Sequence, residues 1–405
     1  MLPLEDIKIL DTTQYLPGPF CSMWLGDMGA DIIKIEETEP RGVELFRTFP
    51  QLYQQLGEDK KQDIIYAYNI MNRNKRSVCL NLKNEEGRKV FYRLVENVDV
   101  VLIEGRPGVS KRLGIGYETL KKKNPRIIQC EISAFGQTGP YRNIPAHDPN
   151  ILGLSGILGI TGTAYGHYVL PGVPIGDLSS GMQAVIGILA ALQARQKSGR
   201  GQFVDVSMYN GLLYLLAARH GQLYFSTGEQ PRMGERPAHV YETSDGKHLV
   251  IAPPEPWMWE RLCRSLGMEE FIAYREKALS GPADDPICQE VCSRFTQVFH
   301  TKTRDEWFQL LAFKVNTCVT PVYDSFEEVF SDPHLEHQEM ILELEHPTLG
   351  RIKQIGVPVK FSETPGSIRS LPPKPGQHTE EVLISAGYSK SQIEGLKSIG
   401  VIAQT

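Results

Sequence analysis

Short apolar runs alternate with amphipathic stretches through residues 7–132, and this alternation restricts the fold more than any other feature of the chain. The pattern predicts strands at 7–10 and 31–35, with Pro17-Gly-Pro19 breaking the first and a helix over 20–28 stopped by Gly29. It predicts further strands at 77–82, 98–103 and 127–132 and a helix at 85–95. Continuous apolar strands separated by amphipathic helices indicate a parallel sheet covered on both faces. The expected fold class is therefore α/β, with a Rossmann-like large domain. The Rossmann fingerprint itself is missing. The first turn is Leu16-Pro-Gly-Pro-Phe20 rather than GxGxxG, and no GxxxxGK[ST] occurs.

Further along, residues 40–74 are polar and irregular, with a possible helix at 52–56. Residues 133–176 are rich in Gly and Pro and read as a long loop region, a place where function often resides. Ser180-Gly-Met-Gln183 fits a capping box, so an apolar helix is expected over 181–197, ended by Gly199-Arg-Gly201. A strand at 202–207 and a second apolar helix from Tyr209 to about His220 follow. After Gly228 the composition shifts. Residues 241–251 read as a hairpin turning at Asp245-Gly246, and helical segments continue to about 330. Residues 347–376 hold six prolines and read as an extended return segment; residues 379–402 carry two short helical patterns split at Gly387. The expected domains are 1–225 (large), 226–330 (small, α+β) and 331–405 (the return completing the large domain).

At 405 residues, the chain is long enough for two or three domains. Its 43 basic and 48 acidic residues leave a net charge of −5, which argues against a sequence-blind nucleic-acid binder. The longest apolar run, 184–192, falls far short of the roughly 20 residues of a membrane span, and no membrane partner is expected. Seven scattered cysteines give no disulfide framework, so a reduced cytoplasmic enzyme is the expectation. No HExxH occurs among the ten histidines. His334, Glu336 and His337 read as a solvated group beside Pro333, and no metal site is expected.

Several residues can carry chemistry. Asp177 precedes the expected N-cap Ser180 by three residues, where a carboxylate is favoured by the helix dipole and can act as base or nucleophile. On position alone it reads more readily as a loop or capping aspartate. His147-Asp148 lies in the loop region after a strand's C-terminus, where open α/β sheets place ligands, and an imidazole titrates near neutrality. By itself it reads as a surface or packing histidine. Glu255, held between prolines in Ala252-Pro-Pro-Glu-Pro-Trp257, could orient an imidazole or simply begin a helix. Arg73, Lys75, Arg76 and Arg106 could hold phosphates, although a short basic run is usually a solvated face.

Together these segments resemble the family III CoA-transferases and their relatives, the α-methylacyl-CoA racemases (the CaiB/BaiF-type superfamily). The resemblance runs almost end to end: Leu25-Gly-Asp-Met-Gly-Ala-Asp-Ile-Ile-Lys-Ile-Glu36, Asn72-Arg-Asn-Lys-Arg-Ser77, Arg106-Pro-Gly108, Ser133-Ala-Phe-Gly-Gln-Thr-Gly-Pro140 and Ser198-Gly-Arg-Gly-Gln-Phe-Val-Asp-Val-Ser207 carry it. It implies two subunits interlocked as rings, an acyl-CoA thioester as substrate, and no cofactor beyond coenzyme A. It implies CoA phosphates near Arg73, Arg76 and Arg106. The family's usual Glu-Asn-Phe-Arg-Pro-Gly is one residue shorter here. Asp177 matches the catalytic aspartate. His-Asp at 147–148 and Glu-Pro-aromatic at 255–257 resemble the racemase branch, while Trp259-Glu-Arg-Leu-Cys263 looks transferase-like. The expectation is therefore a 2-methylacyl-CoA racemase or epimerase. Asp177 and His147 would be its two bases, Glu255 would hold the imidazole, and the backbone N–H of Asp148 would stabilise an enolate oxygen. The alternative is CoA transfer between carboxylic acids, with Asp177 as covalent nucleophile. The acyl group is not legible.

Overall fold

The computed structural model describes residues 1–38, 58–162, 167–229, 237–281 and 284–404. The possible helix at 52–56 lies outside them. The chain forms two compact units. One comprises 1–157, 171–228 and 337–405; the other comprises 158–170 and 229–336.

The first unit is built on a seven-stranded sheet. Its strands are β1 (Lys8–Asp11), β2 (Asp31–Glu36), β3 (Lys75–Leu80), β4 (Val100–Glu104), β5 (Ile128–Ser133), β6 (Phe203–Ser207) and a short strand at Ile402–Ala403. The last of these pairs antiparallel with β3, and every other pairing is parallel. Leaving that edge aside, the order is 3-2-1-4-5-6, the doubly wound arrangement. The apolar runs lie close to where the sequence placed them because they are buried from both sides: Val100, Val101 and Leu102 are fully enclosed.

Helix Glu85–Val95 shows how local chemistry sets an element. The Asn84 side chain accepts from the Glu86 N–H, acids fill the first turn, and Val90, Phe91, Leu94 and Val95 face the core. The stretch 133–176 is less loop-like than its composition implies. It contains helices Asp148–Leu154 and Ile157–Ile160, the first opened by Asp148-Pro149. The apolar helix also starts earlier than expected. It runs Ile175–Ser198, which puts Ser180 in its second turn and Asp177 in its first. The hydroxyl of Ser180 caps nothing and donates back to the Asp177 carbonyl at 2.8 Å. This helix packs on helix Pro17–Asp27 and on β5 and β6. Among the described residues it is the one helix long and apolar enough to cross a membrane, a length that the shorter run 184–192 had not revealed.

The second unit holds a three-stranded antiparallel sheet of β7 (Val240–Glu242), β8 (His248–Ile251) and β9 (Val319–Val322). The expected hairpin is there, with Gly246 at φ +73° in its turn. Helices Pro256–Ser265 and Pro286–Phe299 contribute Trp259, Phe295 and Phe299 to its core, alongside Tyr241 and Trp307.

Candidate active site

Strand order reverses between β1 and β4, and open α/β sheets bind ligands beyond such a point. Here the turn after β1 cannot cradle a pyrophosphate. Pro17 and Pro19 have no N–H, and the Gly18 N–H donates to Glu104 Oε2 at 3.0 Å. Glu104 ends β4, and Gly105 follows at φ +141°, a conformation that needs glycine. The shortened loop then presents Arg106, which is exposed and makes no side-chain hydrogen bond or ion pair among the described residues.

The other basic candidates are placed differently. Arg73 is 2% exposed and clasps Asp27, with Nε and Nη2 donating to the two carboxylate oxygens at 3.0 and 2.6 Å. Its remaining arm donates to the Ile355 carbonyl. Lys75 is equally enclosed and donates to Asp11 Oδ2 at 3.1 Å. Burial, with Lys34 nearby, brings its ammonium down to about 8 against the pull of Asp11. These two cations are paired inside the frame, where a short basic run looked like a surface, because their acidic partners lie far away in sequence; Lys75 also lines the cavity that Arg76 borders. Arg76 is partly exposed and pairs with Asp31 and Glu381. It lines a cavity of about 480 Å³ with Asp63, His346, Lys374 and His378, and Asp177, His147 and Arg106 are not among that cavity's walls.

Sequence reasoning missed Asp11. Fully buried at the end of β1, it accepts from the Thr13 and Ser22 hydroxyls at 2.6 Å each and faces both Lys34 and Lys75. Burial alone would raise its pKa, but the two ammonium groups hold it well below the usual carboxylate range. Lys34 also donates to the Thr13 carbonyl. The cluster pins the β1 turn.

Asp177 and the His147-Asp148 pair come together. Asp148 is the first residue of helix 148–154, and its Oδ1 accepts from the Gly176 N–H at 2.5 Å and from the Asp177 N–H at 3.2 Å. His147 precedes it with an exposed ring, its main-chain N–H donating to Asn150 Oδ1. The Asp177 carboxylate is partly buried and accepts no hydrogen bond among the described residues. Burial, with the Asp148 charge, pushes its carboxyl up to about 6, and His147 pulls the other way. The Asp148 N–H lies in the first helical turn, where such groups have no acceptor within their own helix. Glu255 belongs to the second unit. It is the N-cap residue of helix Pro256–Ser265, its side chain exposed and forming no cap bond.

Residues 4–379 match the model of CoA-transferase family III, and the chain belongs to that family. It is 32% identical to the succinyl-CoA–L-malate CoA-transferase beta subunit of Chloroflexus aurantiacus, over 99% of this chain and 98% of that protein. It is 31% identical to the succinyl-CoA:glutarate CoA-transferase of Homo sapiens, over 99% of this chain and 90% of the relative. A crystal structure of a CaiB/BaiF family protein from Brucella suis superposes with a TM-score of 0.77 at 27% identity, covering 95% of this chain and 99% of that one. Both named enzymes are transferases. The racemase expectation drawn from positions 147–148 and 255–257 finds no support in them.

Proposed function

We propose that the protein transfers coenzyme A between carboxylic acids, with Asp177 as the covalent nucleophile. The observation that carries this reading is the Asp177 carboxylate: partly buried, free of hydrogen bonds among the described residues, and pushed up to about 6 by burial and the Asp148 charge. Such a group is mostly ionised at neutral pH yet more basic than an ordinary aspartate, a combination that favours attack on a thioester carbonyl.

The steps balance without redox change. An Asp177 oxygen bonds to the acyl carbon, the C–S bond breaks and CoA leaves as thiolate, giving a mixed anhydride. The thiolate attacks the aspartyl carbonyl and expels the donor acid as carboxylate. The acceptor carboxylate then attacks this aspartyl thioester, releasing thiolate again. Thiolate attack on the acceptor's acyl carbon regenerates the Asp177 carboxylate. The Asp148 N–H is suited to an oxyanion in these steps, and Arg106 to a CoA phosphate. The relatives' names support succinyl-CoA as donor and a dicarboxylic acid as acceptor. An interlocked pair of subunits belongs to the same reading; Tyr214 (79% exposed) and Phe225 (88% exposed) are large side chains that a second copy could cover.

The test is transfer from succinyl-CoA to a panel of dicarboxylates, with hydroxylamine trapping at position 177. Asp177→Asn is expected to abolish both. Full turnover in that variant would end the proposal. Exchange of the α-hydrogen of a 2-methylacyl-CoA in deuterated water, without any acceptor acid, would restore the racemase.

A further inference from the structure

The helix that carries Asp177 begins without a cap of its own. Its N-cap residue is Pro174, whose ring offers no acceptor. The Leu178 N–H is taken by the Pro174 carbonyl at 3.0 Å, which leaves the N–H groups of residues 175–177 to find partners outside the helix. Asp148, 28 residues before Gly176, accepts from two of them through one oxygen. It is 7% exposed, and the fit against the helix is close: a Cβ on Gly176 would lie 2.8 Å from that same Oδ1. Gly176 thus lets a foreign carboxylate sit where a capping side chain would.

A first-turn acid is ordinarily stabilised by these N–H groups and by the dipole they carry. Asp177 is the one acid in this first turn, and two of the three groups, those of Gly176 and Asp177, are already occupied. We propose that Asp148 is a positioning residue for the nucleophile: by holding the N–H groups of Gly176 and Asp177, it denies Asp177 a hydrogen-bonded resting state and leaves that carboxylate bare for attack. This rests on the transferase reading and adds to it the device that makes the nucleophile reactive. A carboxylate accepting two or three N–H bonds is a much weaker base than a bare one. The charged groups acting on Asp177 are Asp148 itself and His147, which oppose each other.

Two substitutions separate the cap from the charge. Asp148→Asn keeps an acceptor oxygen for both N–H groups and removes the negative charge. Asp148→Ala removes both. The experiment records kcat/KM against pH with succinyl-CoA and an accepting dicarboxylate. It also follows the Asp177 carboxyl directly by 13C NMR of aspartate-labelled protein, the resonance assigned by its loss in Asp177→Asn. In Asp148→Asn, the Asp177 titration and the acid limb of the rate profile should move together to lower pH. In Asp148→Ala, kcat should fall about 100-fold, with KM for the acyl-CoA changing only a few-fold. An Asp177 titration that stays in place in both variants, with activity lost only in proportion to folded protein, would reduce Asp148 to a helix cap and overturn the inference. Persistent turnover in Asp177→Asn would instead sink the transferase reading, and the NMR titration would still report on Asp148.

Discussion

Asp27 receives two arms of Arg73, at 3.0 and 2.6 Å, and the Asn74 amide donates to the same carboxylate at 2.8 Å. Asn74 in turn ties down the return segment: its Oδ1 accepts from the N–H groups of Arg369 and Ser370. The Asn72–Ser77 motif is thus a fastening between the first helix and a stretch nearly 300 residues later. Arg73→Gln should cost ~3–5 kcal/mol, because an enclosed carboxylate loses its counter-charge. Arg106→Ala should leave stability within about 0.5 kcal/mol and raise KM for the acyl-CoA. Denaturant unfolding and steady-state kinetics of both variants check the contrast; a stable Arg73 variant with weakened CoA binding would reverse the assignment.

Asp11 faces two lysines inside the frame. Asp11→Asn would take the buried counter-charge from both ammonium groups and should destabilise the first unit by ~3–5 kcal/mol at neutral pH. Its pKa is held below the ordinary carboxylate value, so its contribution is complete above about pH 4 and fades as the pH falls below that. The stability gap between wild type and variant, followed by urea unfolding from pH 7 to pH 3, should therefore narrow toward the acid end.

Asp177 gives the opposite sign. Its carboxyl, pushed up to about 6 in the folded chain, lies above the ordinary aspartate value of 3.8, so the folded state prefers the protonated form and loses stability as the pH rises between them. Asp177→Asn should be no more stable than wild type below pH 4. Above pH 6 it should be more stable by about 1–2 kcal/mol, after allowance for partial solvent screening. Thermal melts across that window decide it, and equal curves at pH 7 would contradict the raised pKa.

The same carboxylate sets the acid limb of activity. If its ionised form attacks the thioester, kcat/KM should rise about tenfold per pH step below 6 and level off above it. A limb near pH 4 would mean that Asp177 is not the rate-controlling ionisation.

Gly176→Ala tests the contact that holds Asp148. The new methyl would lie 2.8 Å from Oδ1, and Asp148 would have to move off both N–H groups. The expected result is a fall in kcat of at least tenfold, with far-UV circular dichroism unchanged. Wild-type turnover would show that the close approach is dispensable.

What the sequence revealed, and what it hid, follows from the range of the interactions. The inner strands of the large sheet were legible because burial on both faces writes an unbroken apolar run into the chain, as at Val100, Val101, Leu102 and Ile103. Helix 175–198 was placed about six residues late, because Gly176 and Asp177 resemble loop residues and the true cap comes from Asp148, which no local pattern can show. Helix 148–154 did leave a signal: an acid followed by proline is a common helix opening, and it was lost in a Gly/Pro-rich context. Asp177 and His147-Asp148 were singled out from their positions and from motif resemblance, and the structure brings them together. The Arg73–Asp27 pairing left no local sign, because the partners lie 46 residues apart.

The short antiparallel strand at the edge of the large sheet pairs Ile402 with Leu80 and Ala403 with Cys79. Thr379 reinforces the seam, its hydroxyl donating to the Ala403 carbonyl while its Oγ1 accepts from the Cys79 N–H. During synthesis, β3 must therefore wait for more than 300 further residues before that flank is sealed. A nascent chain would carry an unprotected β-edge through translation of the entire second unit. Chaperone demand and aggregation on the ribosome should accordingly track the emergence of residues 401–403, which also complete the core of the first unit.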